Sequence, residues 1–150
     1  MGILLYVSHP EVAIDPAIPV PDWGLSAKGR ERASAFAPHP LVASAGRTVA
    51  SREKKAIETA EILAAPRGLS VEIRDDLHEN DRSATGFLPP QEFEATANRF
   101  FAEPETSIRG WERAIDAQRR IVGAVTAILA ERPDVETTVM VGHGGVGTLL

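Results

Sequence analysis

The sequence of 150 residues contains no cysteine. Disulfide bonds, thiolate nucleophiles and sulfur-ligated metal sites are therefore excluded. The chain also lacks a basic excess, because 16 Lys and Arg stand against 21 Asp and Glu and give a formal net charge of -5. A broad nucleic-acid-binding or anionic-membrane surface needs the opposite balance. Any anion site must therefore be a local basic pocket.

Long apolar runs are missing as well. The apolar segment 3–7 follows no basic segment, and it is too short for the core of a signal peptide or for a membrane span. Together with the absence of cysteine, this favours a cytoplasmic protein with no membrane partner. The length and a hydrophobic content of 43% suit one domain over residues 1–150 with a continuous core.

The order of apolar patterns predicts an α/β fold. Strands are expected at 3–7, 69–73 and 137–141, the first buried on both faces, with a short segment at 48–50. Helices are expected at 26–36, 51–63, 90–101 and 108–130, with Ser26 and Ser51 as N-caps. Residues 10–23, which are rich in proline, and residues 75–86 are expected to be loops. This alternation predicts three α/β/α layers with a mostly parallel sheet and helices on both faces.

Two histidines follow predicted strands directly. His9 comes after the first strand and His143 after the last. Ligands of such sheets bind beyond the carboxyl ends of the strands, so we expect the two imidazoles to lie side by side there. One neutral imidazole can attack phosphorus while a second, protonated, stabilises the negative equatorial oxygens of the phosphate. The pair therefore indicates phosphoryl transfer.

Five segments, in the same order and spacing, resemble the histidine phosphatase (phosphoglycerate mutase-like) superfamily. They are Ser8-His9-Pro10 in place of Arg-His-Gly, the Leu-Ser-x-x-Gly-x-x-x-Ala match at 25–33, the Ser-x-x-x-Arg-Ala-x-x-Thr-Ala-x-x-Leu match at 51–63, Leu-x-Glu at 77–79 and the second histidine motif at 141–146. The resemblance covers the whole chain. It implies that His9 is the nucleophile and forms a phosphohistidine, that His143 binds phosphate, and that Glu79 is the general acid.

Both arginine positions of the family pattern are replaced. Ser8 stands at the first and Lys55 at the second. A charge-assisted hydrogen bond contributes roughly 1.5–3 kcal/mol, so each loss weakens phosphate binding. Arg52 and Arg82 are candidates to supply a compensating guanidinium, and we expect at least one of Arg52, Lys55 and Arg82 to point into the histidine cleft. The predicted phosphate-binding residues are Ser8, Arg52, Lys55, Arg82 and Gly144.

Two other kinds of site are considered and set aside. Gly142, Gly144 and Gly147 satisfy G-x-G-x-x-G, but the dinucleotide-binding fingerprint needs a further helix, strand and acidic residue beyond Leu150. A metal site built from His9, His143 and Glu79 has no short-spaced ligand pair to support it. We therefore expect neither a metal nor an organic cofactor.

The sequence thus predicts a phosphomonoesterase acting on a small phosphorylated molecule or a phosphoprotein. Hydrolysis is favoured over mutase activity, since no residue is evident that would hold and reorient a phosphorylated intermediate. The alternative is a phosphate-binding or regulatory module on a catalytically weakened phosphatase scaffold. Residues 144–150 offer only about two helical turns, which predicts a truncated domain or an incomplete last helix.

Overall fold

The computed structural model describes residues 2–150, which form a four-stranded parallel sheet with helices on both faces. The strands are β1 (Ile3–Ser8), β2 (Arg47–Ser51), β3 (Val71–Arg74) and β4 (Thr137–Gly142), in the order β1-β4-β2-β3. All three strand pairs are parallel. The α/β prediction is confirmed, and the sheet in this part of the chain is parallel throughout.

Residues 2–150 contain six α-helices, of which five lie between strands and the sixth follows β4. They are α1 (Ala27–Phe36), α2 (Pro40–Ala43), α3 (Lys54–Ala64), α4 (Pro90–Ala102), α5 (Ala114–Glu131) and α6 (Gly144–Gly147). Ser26 caps α1 as predicted, because its side chain accepts a hydrogen bond from the Gly29 N–H. A short helix that was not predicted, α2, follows α1 and has Pro40 in its first turn. No helix in residues 2–150 is long and apolar enough to cross a membrane.

The central strands contribute to two hydrophobic cores, one on each face of the sheet. Val49 and Met140 pack into a core with α4 and α5, and their neighbours Ala50 and Val141 pack into another with α3. Consecutive residues of a strand point to opposite faces, so an unbroken apolar strand such as β4 suits a sheet covered on both sides.

Three details of the predicted elements are wrong. β1 is an edge strand that pairs with β4 and is half-buried, rather than an inner strand. Ser51 ends β2 instead of capping a helix, and α3 begins three residues later. The predicted helix 108–130 begins only at Ala114, because Arg109 and Gly110 adopt φ values of 53° and 83° that interrupt a helix.

Candidate active site

The carboxyl ends of β1 and β4 bring the two histidines together. Ser8 lies opposite Gly142 in the register of the two strands, and the His9 N–H donates to the Gly142 carbonyl at 3.2 Å. The imidazole centroids of His9 and His143 are 5.3 Å apart, with the rings nearly edge to face. The predicted side-by-side placement is confirmed, and both rings are within reach of one phosphate-sized group.

The ring of His9 is held in one orientation by its neighbour. Nδ1 lies 2.9 Å from the Pro10 carbonyl oxygen. Since a carbonyl can only accept a hydrogen bond, Nδ1 carries the proton and Nε2 keeps its lone pair. Burial lowers the pKa of His9 below its usual value, and the nearby Lys55 charge acts in the same direction. His9 is therefore a neutral imidazole at neutral pH, with Nε2 as the nucleophilic atom.

The ring of His143 is fully buried. Its Nε2 lies 2.8 Å from Ser51 Oγ and 3.5 Å from Glu53 Oε1, whereas Nδ1 is buried without a hydrogen-bond partner. Desolvation lowers the pKa of His143 to about 4, although the Glu53 carboxylate opposes the shift, so the second imidazole is neutral at neutral pH rather than protonated as expected. A buried polar atom without a partner is costly. Nδ1 is thus positioned to contact a group that enters the cleft.

Tyr6 fixes the backbone at His143. Its hydroxyl donates to the His143 carbonyl at 3.1 Å and accepts from the His143 N–H at 3.0 Å. Burial raises the pKa of Tyr6 to about 12, so the hydroxyl stays protonated and keeps both bonds. A Cβ at position 142 would come within 2.2 Å of this hydroxyl. The glycine before the second histidine is therefore required by the close approach of Tyr6.

Glu79 lies at the amino end of α6. Its carboxylate accepts hydrogen bonds from the N–H groups of Gly145 at 3.0 Å and Val146 at 2.9 Å, and from its own neighbour Asn80 at 3.0 Å. The charge of Glu79 raises the pKa of both imidazoles, against the larger effect of burial. A Cβ at position 145 would approach a Glu79 oxygen to 2.5 Å. The glycine-rich turn after His143 thus holds Glu79 beside the histidine pair.

Lys55 occupies the second arginine position of the family pattern. Its side chain is 4% exposed, and Nζ pairs with Glu53 Oε2 at 2.7 Å while donating to the Val20 carbonyl at 2.7 Å. Its charge lowers the pKa of both histidines, and the expectation that Lys55 points into the cleft stays a prediction. Glu53 neutralises much of this charge and also accepts the Glu79 N–H at 3.0 Å.

The chain matches the model of the histidine phosphatase superfamily (branch 1) over residues 16–150. It belongs to the histidine phosphatase superfamily. The resemblance drawn from the sequence motifs is therefore confirmed. No curated protein sequence matches this histidine phosphatase.

Solved structures of the superfamily share its fold. A mycobacterial glucosyl-3-phosphoglycerate phosphatase superposes with a TM-score of 0.79 at 23% identity, covering 97% of this chain and 75% of that one. YhfR of Bacillus stearothermophilus gives 0.80 at 24%, covering 98% and 76%. The alpha-ribazole phosphatase of Shigella flexneri gives 0.69 at 20%, covering 97% and 75%. At these identities the likeness establishes a phosphoglycerate mutase-like fold.

The other predicted phosphate-binding residues lie in different surroundings. Ser8 is exposed at the end of β1, and a Cβ on Gly144 would lie in ordinary contact with its hydroxyl at 3.7 Å. Arg52 is exposed and pairs with Asp75. The Arg82 guanidinium lies 5.0 Å from the centroid of the Phe93 ring, a distance typical of a cation–π contact. A phosphate contact by Arg52 or Arg82 stays a prediction.

A cavity of about 930 Å³ shares residues with the histidine site. Glu53, which lies 3.5 Å from His143, and Glu79 line it, whereas the two imidazoles are not among its lining residues. Arg52 and Arg82 both line this cavity. Within residues 2–150, no three His, Asp or Glu side chains are grouped to hold a metal ion.

Three residues of the site were not identified from the sequence. Glu53, Tyr6 and Ser51 contact His143 or hold its backbone, yet only Ser51 was noted, and for a different role. A signal existed for Glu53, because it lies inside the family-like segment two positions before Lys55. Tyr6 gave no signal, since a tyrosine in an apolar strand is ordinarily a packing residue.

Proposed function

We propose that this histidine phosphatase is a phosphomonoesterase that works through a phosphohistidine on His9. The observation that carries the proposal is the pairing of two oriented imidazoles. His9 presents a free Nε2 lone pair, and His143, 5.3 Å away between ring centroids, presents a buried Nδ1 without a partner. A nucleophile beside an unsatisfied polar atom that can bind an anion suits attack on phosphorus.

The first step forms a bond between His9 Nε2 and phosphorus while the ester P–O bond breaks. The electron pair of that bond leaves with the alcohol oxygen, which takes a proton from Glu79. His143 stabilises the phosphoryl oxygens by donating from Nδ1, provided that Nε2 accepts the Ser51 hydroxyl proton. Glu79 is held by the backbone N–H groups of Gly145 and Val146, and the proton that it donates comes from solvent.

The second step transfers the phosphoryl group to water. Glu79, now a carboxylate again, removes a proton from water as the water oxygen attacks phosphorus, and the N–P bond breaks to return neutral His9. Lys55 supplies the remaining positive charge, reduced by its pair with Glu53. Turnover is therefore expected to be slower than with two arginines, because each charge-assisted hydrogen bond contributes roughly 1.5–3 kcal/mol.

The substrate is proposed to be a small phosphorylated molecule. Two structural neighbours are described as phosphatases of glucosyl-3-phosphoglycerate and of alpha-ribazole phosphate, and the mycobacterial enzyme has been seen with inorganic phosphate and with VO3. The cavity beside the histidines has the volume of a small-molecule site. A phosphoprotein substrate and a cytoplasmic location stay predictions.

Labelling with a reactive phosphoryl donor tests the proposal. Wild-type protein should be labelled on His9, and the label should be lost in acid and survive alkali, which distinguishes it from a phosphoserine on Ser8. His9→Ala should abolish both labelling and hydrolysis of an aryl phosphate. His39→Ala is the matched control, because His39 is exposed and caps α2, and it should behave like wild type.

The same experiment separates the enzyme from a phosphate-binding module. The module is favoured by one observation, the Glu53 carboxylate that lies against both Lys55 and His143. If phosphate binds but no donor labels His9 and no ester is hydrolysed, the phosphatase proposal is wrong and the module replaces it. A label that persists in His9→Ala would refute the assigned nucleophile.

A further inference from the structure

The large cavity beside the histidines has an aromatic wall. Trp23 and Phe87 contact each other there with ring centroids 5.8 Å apart, and Phe93 adds a third ring. Ile14, Val20 and Leu88 extend the apolar surface. Phe87 and Phe93 are each 40% exposed, so part of each ring is free to contact a ligand. The wall is therefore suited to an apolar or aromatic group.

The aromatic wall is fixed before any ligand arrives. The Trp23 indole N–H donates to the Asp15 carbonyl at 2.9 Å and is also 3.2 Å from that of Ile18, which ties the ring to the proline-rich loop. The Val20 carbonyl of the same loop accepts from Lys55 at 2.7 Å, so the loop is also fastened to the site. A ligand group that stacks here loses little affinity to ordering of the protein.

The charges around the cavity are mostly negative. Five carboxyl groups line it against two guanidinium groups, and because Asp75 pairs with Arg52 and Glu53 pairs with Lys55, three carboxyl groups remain against Arg82. The five are Asp22, Glu53, Asp75, Glu79 and Asp81. A second anionic group on a substrate would meet this surplus of negative charge. An uncharged aromatic group would not, and like-charge contacts are a common basis for rejecting wrong ligands.

The volume is also much larger than a phosphate needs. A cavity of about 150 Å³ already holds a benzene molecule, whereas this one measures about 930 Å³. A small phosphorylated acid would leave the aromatic wall uncovered. A substrate with one or two rings would bury it.

We infer that the cavity selects phosphate monoesters of apolar, aromatic alcohols that carry no second anionic group. The inference rests on the proposed function, since it names the leaving group of the same reaction. The phosphate would lie at the His9 and His143 pair, and the ring system would extend past Glu53 and Glu79 onto Phe87 and Trp23.

Binding of non-hydrolysable analogues tests this inference without relying on turnover. By calorimetry, 1-naphthylmethylphosphonate should bind at least about tenfold more tightly than methylphosphonate, as one to two aromatic contacts supply. Phe87→Ala should remove most of that advantage. Phe101→Ala is the matched control, because Phe101 is 41% exposed on α4 and lines a smaller neighbouring cavity, and the advantage should persist.

A second matched pair tests the rejection of charge. Phenyl phosphate and 4-carboxyphenyl phosphate share a ring and differ by one carboxylate, and kcat/KM should be at least about fivefold higher for phenyl phosphate. Equal phosphonate affinities, or an unchanged naphthyl preference in Phe87→Ala, would overturn the inference even if hydrolysis is observed. Naphthyl-selective binding without any hydrolysis would sustain the inference about the cavity and refute the proposed phosphatase.

Discussion

Replacing Glu53 by Gln probes the least expected feature of the site. The carboxylate lies 2.7 Å from Lys55 Nζ and 3.5 Å from His143 Nε2, across the imidazole ring from the Nδ1 atom that is proposed to contact phosphate. Gln keeps the size of the side chain and removes the charge. The variant should bind phosphate more tightly, because it removes a repulsion and frees Lys55 to contact the anion.

The size of the effect follows from Coulomb's law. A carboxylate and one phosphate charge about 6 Å apart repel by roughly 3 kcal/mol at an effective dielectric constant of about 20. The Lys55 pair and solvent already cancel part of this, so we expect about 1.4 kcal/mol, or about tenfold in the dissociation constant. Glu53 raises the pKa of His143, so its loss leaves that ring even more firmly neutral at neutral pH.

The assay is calorimetric titration with inorganic phosphate, alongside thermal unfolding. Without phosphate the variant should unfold at a lower temperature than wild type, because Lys55 loses its buried partner. Added phosphate should then stabilise the variant more than wild type. Glu61→Gln removes a charge from an exposed position on α3 and serves as the control. Unchanged or weaker phosphate binding by a folded Glu53→Gln protein would show that Glu53 does not oppose the anion.

Three further predictions concern the rest of the site. Ser8→Arg should raise kcat/KM for an aryl phosphate by roughly ten- to a hundredfold, since Ser8 is exposed and a guanidinium there adds a charge-assisted hydrogen bond; no gain would contradict this. Gly145→Ala should lower kcat at least about tenfold, because the new Cβ would displace Glu79. Gly144→Ala should not, because its Cβ would make only an ordinary contact with Ser8. Equal effects of the two variants would argue against a role for Glu79. His143, with its pKa lowered to about 4, stays neutral in the folded chain as the pH falls, whereas in the unfolded chain it takes up a proton. The contribution of His143 to the free energy of unfolding should therefore be complete above about pH 6.5 and fall by about 3 kcal/mol towards pH 4. In denaturant titrations, His143→Gln should show a smaller fall than wild type.

The sequence was sufficient to predict what depends on strong local patterns. Uninterrupted apolar strands, the Ser26 cap and the two histidines at strand ends follow from periodicity and side-chain chemistry, and the structure confirms each. The place of β1 at the edge could not be predicted, because a strand's own pattern does not reveal how many neighbours pair with it. Nor could the late start of α5, which depends on the unusual backbone at Arg109.

The electrostatics of the site were beyond sequence reasoning for a different reason. The sequence placed Lys55 at the second arginine position of the family. Its pairing with Glu53 could not be predicted, because it depends on how the start of α3 meets the loop at Val20. Likewise, a glutamate after a strand gives no indication that its carboxylate will accept the N–H groups of Gly145 and Val146, which are 66 and 67 residues away. Such contacts are properties of the assembled fold.

The position of β4 has a consequence for how the protein reaches its active form. β4 is the last strand along the chain, yet it lies between β1 and β2, so before it inserts the sheet consists of β1 alone and the β2–β3 pair. The Tyr6 hydroxyl and the His143 backbone that it holds are 137 positions apart. Contacts of such sequence separation are closed late and slow folding. The histidine pair therefore forms only once β4 has inserted between β1 and β2, and the onset of phosphate binding should report that step.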